Sequence, residues 1–188
     1  MWRPRRRQFE IKSERTLASA KLSVLVGKKF ACVTISGRAN FTSAPDFKAL
    51  LDGLSQKQFR HFIIDLTECV LMDSTFLGVL AGFGLKLNPQ GATALGGMEL
   101  NNASERVADL LENLGAVHLF RLTQGNLQLP DDVKICTPET ISPSHEQITR
   151  TSLEAHETLM AINPENVARF KDVAQFLAED LRNVEKAP

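Results

Sequence analysis

Apolar residues recur at i, i+3, i+4 and i+7 in two separate stretches, Phe47, Leu50, Leu51, Leu54 and Val107, Leu110, Leu111, Leu114. Such spacing puts one buried stripe on each of two helices. Short β-rich runs lie before, between and after them. Leu22, Val24 and Val26 alternate with polar or smaller residues, Gly27-Lys28-Lys29 turns the chain, and Phe30, Cys32 (or Ala31), Val33 and Ile35 form a second run ended by Gly37. This predicts a β-hairpin. Phe62-Ile63-Ile64 is an apolar block without clean alternation, the pattern of a strand covered on both faces. Strands that alternate with helices of this length demand a sheet with helices packed on it.

The remaining elements fit the same frame. Ser43 with Asp46 three residues on resembles a capping box, and Pro45 falls in the first turn, where a missing N–H costs nothing. Phe76, Leu77, Leu80, Ala81, Gly84 and Leu85 outline a further helix, closed by Asn88-Pro89-Gln90-Gly91. Residues 92–98 (ATALGGM) form a small-residue strand candidate. Asn102 with Glu105 reads as another capping-box pair, Gly115 stops the helix it opens, and Val117-His118-Leu119-Phe120 offers a last short strand. The expected order to about residue 123 is ββαβαβα with a final β, a mixed α/β sheet of about five strands.

Residues 124–143 have the Pro, Gly and Asp content of a linker, within which Val133-Lys134-Ile135-Cys136 could add an edge strand. Beyond it, Ser144 with Gln147 starts a helix ending near Ile162. Asn163-Pro164-Glu165 caps another, with Val167, Phe170, Val173, Ala174, Leu177 and Leu181 on one side. The expected organisation is a basic arm over 1–19, a domain over 20–123, a linker over 124–143 and a helical hairpin over 144–188. The hairpin must bury its stripe on the domain, on a second copy as a homodimer, or on a partner.

Charge excludes several functions. The chain carries 22 Lys+Arg against 22 Asp+Glu, a formal net charge of +0, so it has no basic excess with which to bind nucleic acid through bulk charge. The charges are unevenly placed: residues 1–15 hold six basic and two acidic side chains, residues 137–188 five and nine. The Arg-rich start is followed by a polar stretch rather than by the apolar block of a secretory signal, and reads as a solvated arm. No uninterrupted apolar run of about 18 residues is present, so no membrane span is expected. Cys32, Cys69 and Cys136 lie far apart and fit neither a disulfide framework nor a zinc site, which suits a reducing, cytoplasmic setting.

The residues that carry chemical information are 62–82, FIIDLTECVLMDSTFLGVLAG. A strand runs through a turn into Asp73-Ser74-Thr75-Phe76-Leu77-Gly78, where a helix starts. Two hydroxyls then sit in the first helical turn, beside unpaired N–H groups and the positive end of the dipole. Such a place tolerates a phosphate, although by composition alone Asp73 or Ser74 is a simple N-cap. Asp65-Leu66 followed by Met72-Asp73-Ser74-Thr75-x-Leu77-Gly78, set after a hairpin and a helix, resembles the STAS family, the sulfate-transporter and anti-sigma-factor-antagonist domains.

The resemblance covers about residues 20–122. It implies an anti-sigma factor antagonist, a non-enzymatic protein-binding switch that sequesters an anti-sigma serine/threonine kinase and needs no cofactor of its own. By position it implies phosphorylation of Thr75, with Ser74 the alternative, and a partner surface of Asp73, Ser74, Thr75, Phe76 and Leu77. One departure stands out: the family commonly has Gly after the phosphorylated hydroxyl, and this chain has Phe76. That leaves Phe76 either to anchor a partner at the surface or to cover Thr75. The same resemblance allows an accessory subunit of an ABC-type lipid transporter or a stress-complex scaffold.

Rival activities lack their residues. A receiver domain needs an acidic pair after its first strand, and residues 22–38 contain no Asp or Glu. No G-x-S-x-G elbow, P-loop or H-E-x-x-H string occurs. Gly96-Gly97 and the Gly82, Gly84 pair read as packing room. His61, His118, His145 and His156 are scattered, each expected at a surface or edge, and none lies near Ser74 or Thr75 in sequence.

Overall fold

A computed structural model describes residues 19–87, 97–127, 133–136 and 142–184. The Arg-rich arm up to residue 18, most of the 92–98 strand candidate and the Asn88-Pro89-Gln90-Gly91 helix end lie outside the described residues. β1 (Lys21–Val26) and β2 (Phe30–Ala39) form the expected hairpin, followed by α1 (Ala44–Gln56), β3 (His61–Asp65), β4 (Cys69–Met72), α2 (Ser74–Leu87), β5 (Gly97–Asn101), α3 (Glu105–Asn113), a single 3-10 turn at Val117–Leu119, β6 (Arg121–Thr123), β7 (Lys134–Cys136), α4 (His145–Ile162) and α5 (Glu165–Val184). The fold is mixed α/β with a C-terminal helical hairpin, as the sequence predicts.

Among the described residues the sheet has seven strands rather than about five, in the order β6-β5-β3-β2-β1-β7, with β4 also on β2. β2 is the central strand. It pairs antiparallel with β1 and parallel with β3 along its first half, then parallel with β4 at its end. The change of neighbour occurs at Gly37, where the register shifts. Gly37 has φ +88, a conformation that L side chains rarely adopt, and its N–H donates to the Glu68 carbonyl at 2.9 Å. Gly37 therefore bulges β2 where the sequence suggests that the strand ends.

Helix starts and short strands differ from expectation in places. Ser43 caps α1 without a side-chain bond to the helix; its hydroxyl donates to the Asn40 carbonyl at 3.0 Å. α3 is capped by Ser104, whose hydroxyl accepts from the Val107 N–H, not by Asn102. Asn102 instead sits at φ +54 and holds Gly125 and Thr67 through its side-chain amide. Asn and Asp serve turns and caps alike, so composition alone does not separate the two roles. Residues 117–119 make a 3-10 turn, and the strand expected there begins at Arg121. The Ser144 and Gln147 capping box of α4 forms reciprocally, as expected.

The helices stack in two layers on the sheet. α1 and α2 lie against each other, α4 packs on both of them, and α5 packs on α4. Phe47, Leu51, Phe62, Ile64, Phe76, Leu77, Leu80 and Leu100 are completely buried in the core below. α2 is buried along almost its whole length, from Thr75 through Ala81 and again at Phe83 and Gly84. It lies between the core and α4, which is why its sequence has no polar face. The hairpin thus buries a stripe on its own domain. On α5 that stripe is narrower than its periodicity suggests: Ala174 and Leu181 are buried, whereas Val167 and Val173 are exposed.

Candidate functional site

The corner between β4 and α2 is built by the backbone of β2. Asp73 N–H donates to the Ala39 carbonyl at 2.9 Å, extending the parallel pairing of β2 and β4 by one residue before the helix begins. The Asp73 carboxylate then ties two segments together. Oδ1 accepts from the Phe76 N–H at 2.8 Å, which makes Asp73 the N-cap of α2, and Oδ2 accepts from the Phe41 N–H at 2.7 Å in the loop before α1. Burial pushes its carboxyl above the usual carboxylate range, against the opposing pull of these N–H groups.

The five residues expected to meet a partner divide by burial. Asp73 and Ser74 are half-buried. Thr75 is 5% exposed, and Phe76 and Leu77 are fully buried. Phe76 is therefore not a surface anchor: its ring stacks on Phe47 with centroids 4.4 Å apart and planes 17° apart. An apolar ring placed after two small hydroxyl residues in the first helical turn points inward because α1 offers it an aromatic partner. Leu77 likewise belongs to the core. The exposed aromatic beside the corner is Phe41, at 42%. Phe41 falls outside the helical period of α1, and its tie to Asp73 crosses 32 residues, so the local pattern does not signal it.

The larger surprise is His156. It is buried, at 6% exposure, rather than at a surface or edge, and its Nε2 lies 3.1 Å from Ser74 Oγ across 82 residues of chain. A neutral ring protonated at Nδ1 accepts a hydrogen bond from the Ser74 hydroxyl at Nε2. Burial pushes the imidazole below its ordinary value of 6.5, and the Ser152 carbonyl and the Asp73 carboxylate offset part of that shift. The Phe170 ring of α5 covers the imidazole at 4.8 Å. His61, by contrast, pairs with Glu99 at 2.7 Å, and His145 lies 3.7 Å from Asp180.

The buried imidazole makes the fold sensitive to pH. Its folded pKa lies below its unfolded value, so at pH between the two the unfolded chain binds a proton that the folded chain refuses. Its contribution is whole above about pH 6.5 and declines as pH falls toward the folded pKa. Asp73, with its pKa raised from 3.8, acts in the opposite sense nearer its own range. We expect the melting midpoint to drop between pH 7 and pH 5.5, and His156→Gln, which cannot take up the proton, to flatten that drop in a thermal scan followed by circular dichroism. An unchanged slope in the variant would mean that other groups dominate.

Asp65 plays a structural part in this region. Its Oδ1 accepts from the Thr67 N–H at 3.1 Å and the Thr67 hydroxyl at 2.6 Å, shaping the turn between β3 and β4. No group of three or more His, Cys, Asp or Glu side chains suited to a metal ion occurs among the described residues. No helix among them is long and apolar enough to cross a membrane.

The model of the STAS domain matches residues 22–128, and the chain belongs to the STAS domain family. Among solved structures, it is similar to an anti-sigma factor antagonist from Mycobacterium paratuberculosis, with a TM-score of 0.46 and 16% identity over 55% of this chain and 85% of that one. It is also similar to the anti-sigma factor antagonist SpoIIAA in its unphosphorylated form, with a TM-score of 0.44 and 14% identity over 58% of this chain and 89% of that one. No curated protein matches the chain.

Proposed function

We propose that the chain is an anti-sigma factor antagonist, a non-enzymatic switch that captures an anti-sigma serine/threonine kinase when unmodified and releases it when phosphorylated at the β4–α2 corner. The observation that carries this reading is the placement of Ser74 and Thr75 in the first turn of α2 behind the Asp73 cap, within a STAS domain. A phosphoryl group there adds about −1.5 to −2 charge at pH 7. It would lie beside the Asp73 carboxylate and inside any interface formed at the corner, where like-charge repulsion and desolvation both oppose docking. Each 1.4 kcal/mol lost this way weakens binding about tenfold, so a few such units suffice to release a partner. ATP and its magnesium belong to the kinase.

Thr75 is the acceptor by its place in the motif, and Ser74 is the less buried of the two hydroxyls. The test is incubation of the purified chain with ATP and each serine/threonine-type anti-sigma kinase of the source organism, with the product mapped by mass spectrometry. Loss of the label in Thr75→Ala alone assigns the site to Thr75, and loss in Ser74→Ala alone assigns it to Ser74. Label that persists in the double variant at unchanged level rejects the corner as the site. Capture of the kinase by the unmodified chain should fall at least tenfold after phosphorylation.

A further inference from the structure

The outer face of α2 is a stripe headed by one of the two hydroxyls. Ser74, Gly78 and Gly82 follow one another at i, i+4 and i+8 and all meet α4: Ser74 touches His156, a Cβ on Gly78 would lie 2.6 Å from the Ala155 carbonyl oxygen, and one on Gly82 would lie 3.5 Å from Thr158. Helix α4 therefore rests on the α2 backbone with almost nothing between them. The stripe has no polar covering of its own, so it needs an occupant at all times.

The occupant is held by a polar contact surface. The buried residues of α4 are Thr149, Thr151, Ser152, Ala155, His156 and Leu159, of which only Leu159 is a large apolar side chain. α1, by comparison, buries Phe47, Leu51 and Leu54. Among the described residues, the buried side-chain polar atoms that lack a well-formed hydrogen bond are His156 Nδ1 and Asn166 Oδ1, and both belong to the hairpin. The Ser152 carbonyl serves His156 Nδ1 only in part and Asn166 Oδ1 has no partner, which is costly in a protein interior, and water would satisfy both on release. The remaining ties are one buried bond, from the Asn166 amide to the Leu114 carbonyl at 3.0 Å, and two at the surface: the Lys48–Glu154 ion pair to α1, and the bond from Arg169 to the Asn113 carbonyl at 2.8 Å.

A close fit whose apolar part is confined to Ala155, Leu159 and the partly buried Ile162 and Phe170 describes a contact that forms specifically yet adds less apolar burial than the helices beneath it. We propose that the α4–α5 hairpin is an exchangeable cover: it occupies the Ser74, Gly78, Gly82 stripe in the free chain and gives way when the kinase docks there. The inference rests on the switch reading above and adds to it an intramolecular competitor. A partner that takes the place of α4 must itself present a helix with small residues, because the glycines admit nothing bulkier in close approach. The exchange sets the threshold for capture, since the partner has to outbid a segment of the same chain at high effective concentration.

Two measurements on the full chain test this. In the first, Lys48→Cys and Glu154→Cys, both on partly exposed side chains, are bridged by a reducible bis-maleimide in a background where the exposed Cys136 is replaced by Ser. With the bridge intact, capture and phosphorylation by the anti-sigma kinase should fall at least tenfold, and reduction should restore both. Equal activity with the bridge intact and cleaved overturns the cover. Failure of the unbridged native chain to bind or be phosphorylated by any such kinase overturns the switch reading instead, and with it the kinase as competitor. The second measurement needs no partner: amide hydrogen exchange in α4 and α5 should run at least tenfold faster than in β2 and β3. Hairpin amides that exchange only in step with those strands would show that α4 leaves α2 only when the whole fold opens, and the cover would be refuted.

Discussion

Phe76→Ala should lower the stability of the chain by about 3–5 kcal/mol, the cost of emptying a large aromatic site in a packed core. The ring is fully buried, and its face-to-face contact with Phe47 at 4.4 Å joins α2 to α1 at the first turn of the helix. Truncation removes the transfer term, the stack and the volume at once. The Asp73 cap and the strand pairing below it cannot close the gap, because both are fixed by backbone bonds to Phe41 and Ala39. For a chain of this size each kcal/mol shifts the melting midpoint by roughly 2–4 °C. A fall of about 6–20 °C by calorimetry is therefore expected. A fall of less than about 2 °C would place the ring outside the core and revive it as a partner contact. The same loss should propagate to the corner, since Phe76 N–H is the group that Asp73 Oδ1 caps.

Gly78→Leu should detach the hairpin while leaving the sheet folded. A Cβ at this position would meet the Ala155 carbonyl oxygen at 2.6 Å, its Cβ at 2.7 Å and its carbonyl carbon at 2.8 Å. Two of those three atoms are backbone, so no rotamer change relieves the clash, and the helix axes must move apart. The substitution does not weaken α2 itself, because Leu favours a helix over Gly by about 0.8 kcal/mol. The expected result is fast hydrogen exchange and early proteolytic cutting within 145–184, together with unchanged protection of β2 and β3. Retained protection of α4 in the variant would contradict the backbone contact. Where Phe76→Ala strikes the fold from below α2, Gly78→Leu strikes it from above.

Local patterns in the sequence carried most of this architecture. The stripes of α1 and α3, the hairpin of β1 and β2, and the Ser144 and Gln147 box all depend on neighbours within a few residues, and all appear where periodicity puts them. What the sequence hides is long-range. Gly37 lets β2 exchange β3 for β4, and nothing around residue 37 shows that a second neighbour waits. Asn102 and Ser104 are both capable caps, and only the distant Thr67 and Gly125 decide which one serves α3. His156 has no local reason to be buried; its reason is Ser74, 82 residues away. One clue to that contact was present. A helix reading STFLGVLAGFGLKL has no side suited to water, and a second layer above it follows from that alone. Phe76 went astray for a related reason: a departure from a family pattern signals a changed environment without saying whether that environment is solvent or core.

The separation between Ser74 and His156 has a consequence during synthesis. α2 leaves the ribosome well before the segment that shields it. At about 5–20 residues per second, the intervening 82 residues take roughly 4–16 s to polymerise. For that interval every nascent copy displays a bare strip of glycine and aliphatic side chain to its neighbours on the same message. Slow decoding between codons 88 and 145 would lengthen the exposure, and yield of the intact product in overexpressing cells would fall accordingly.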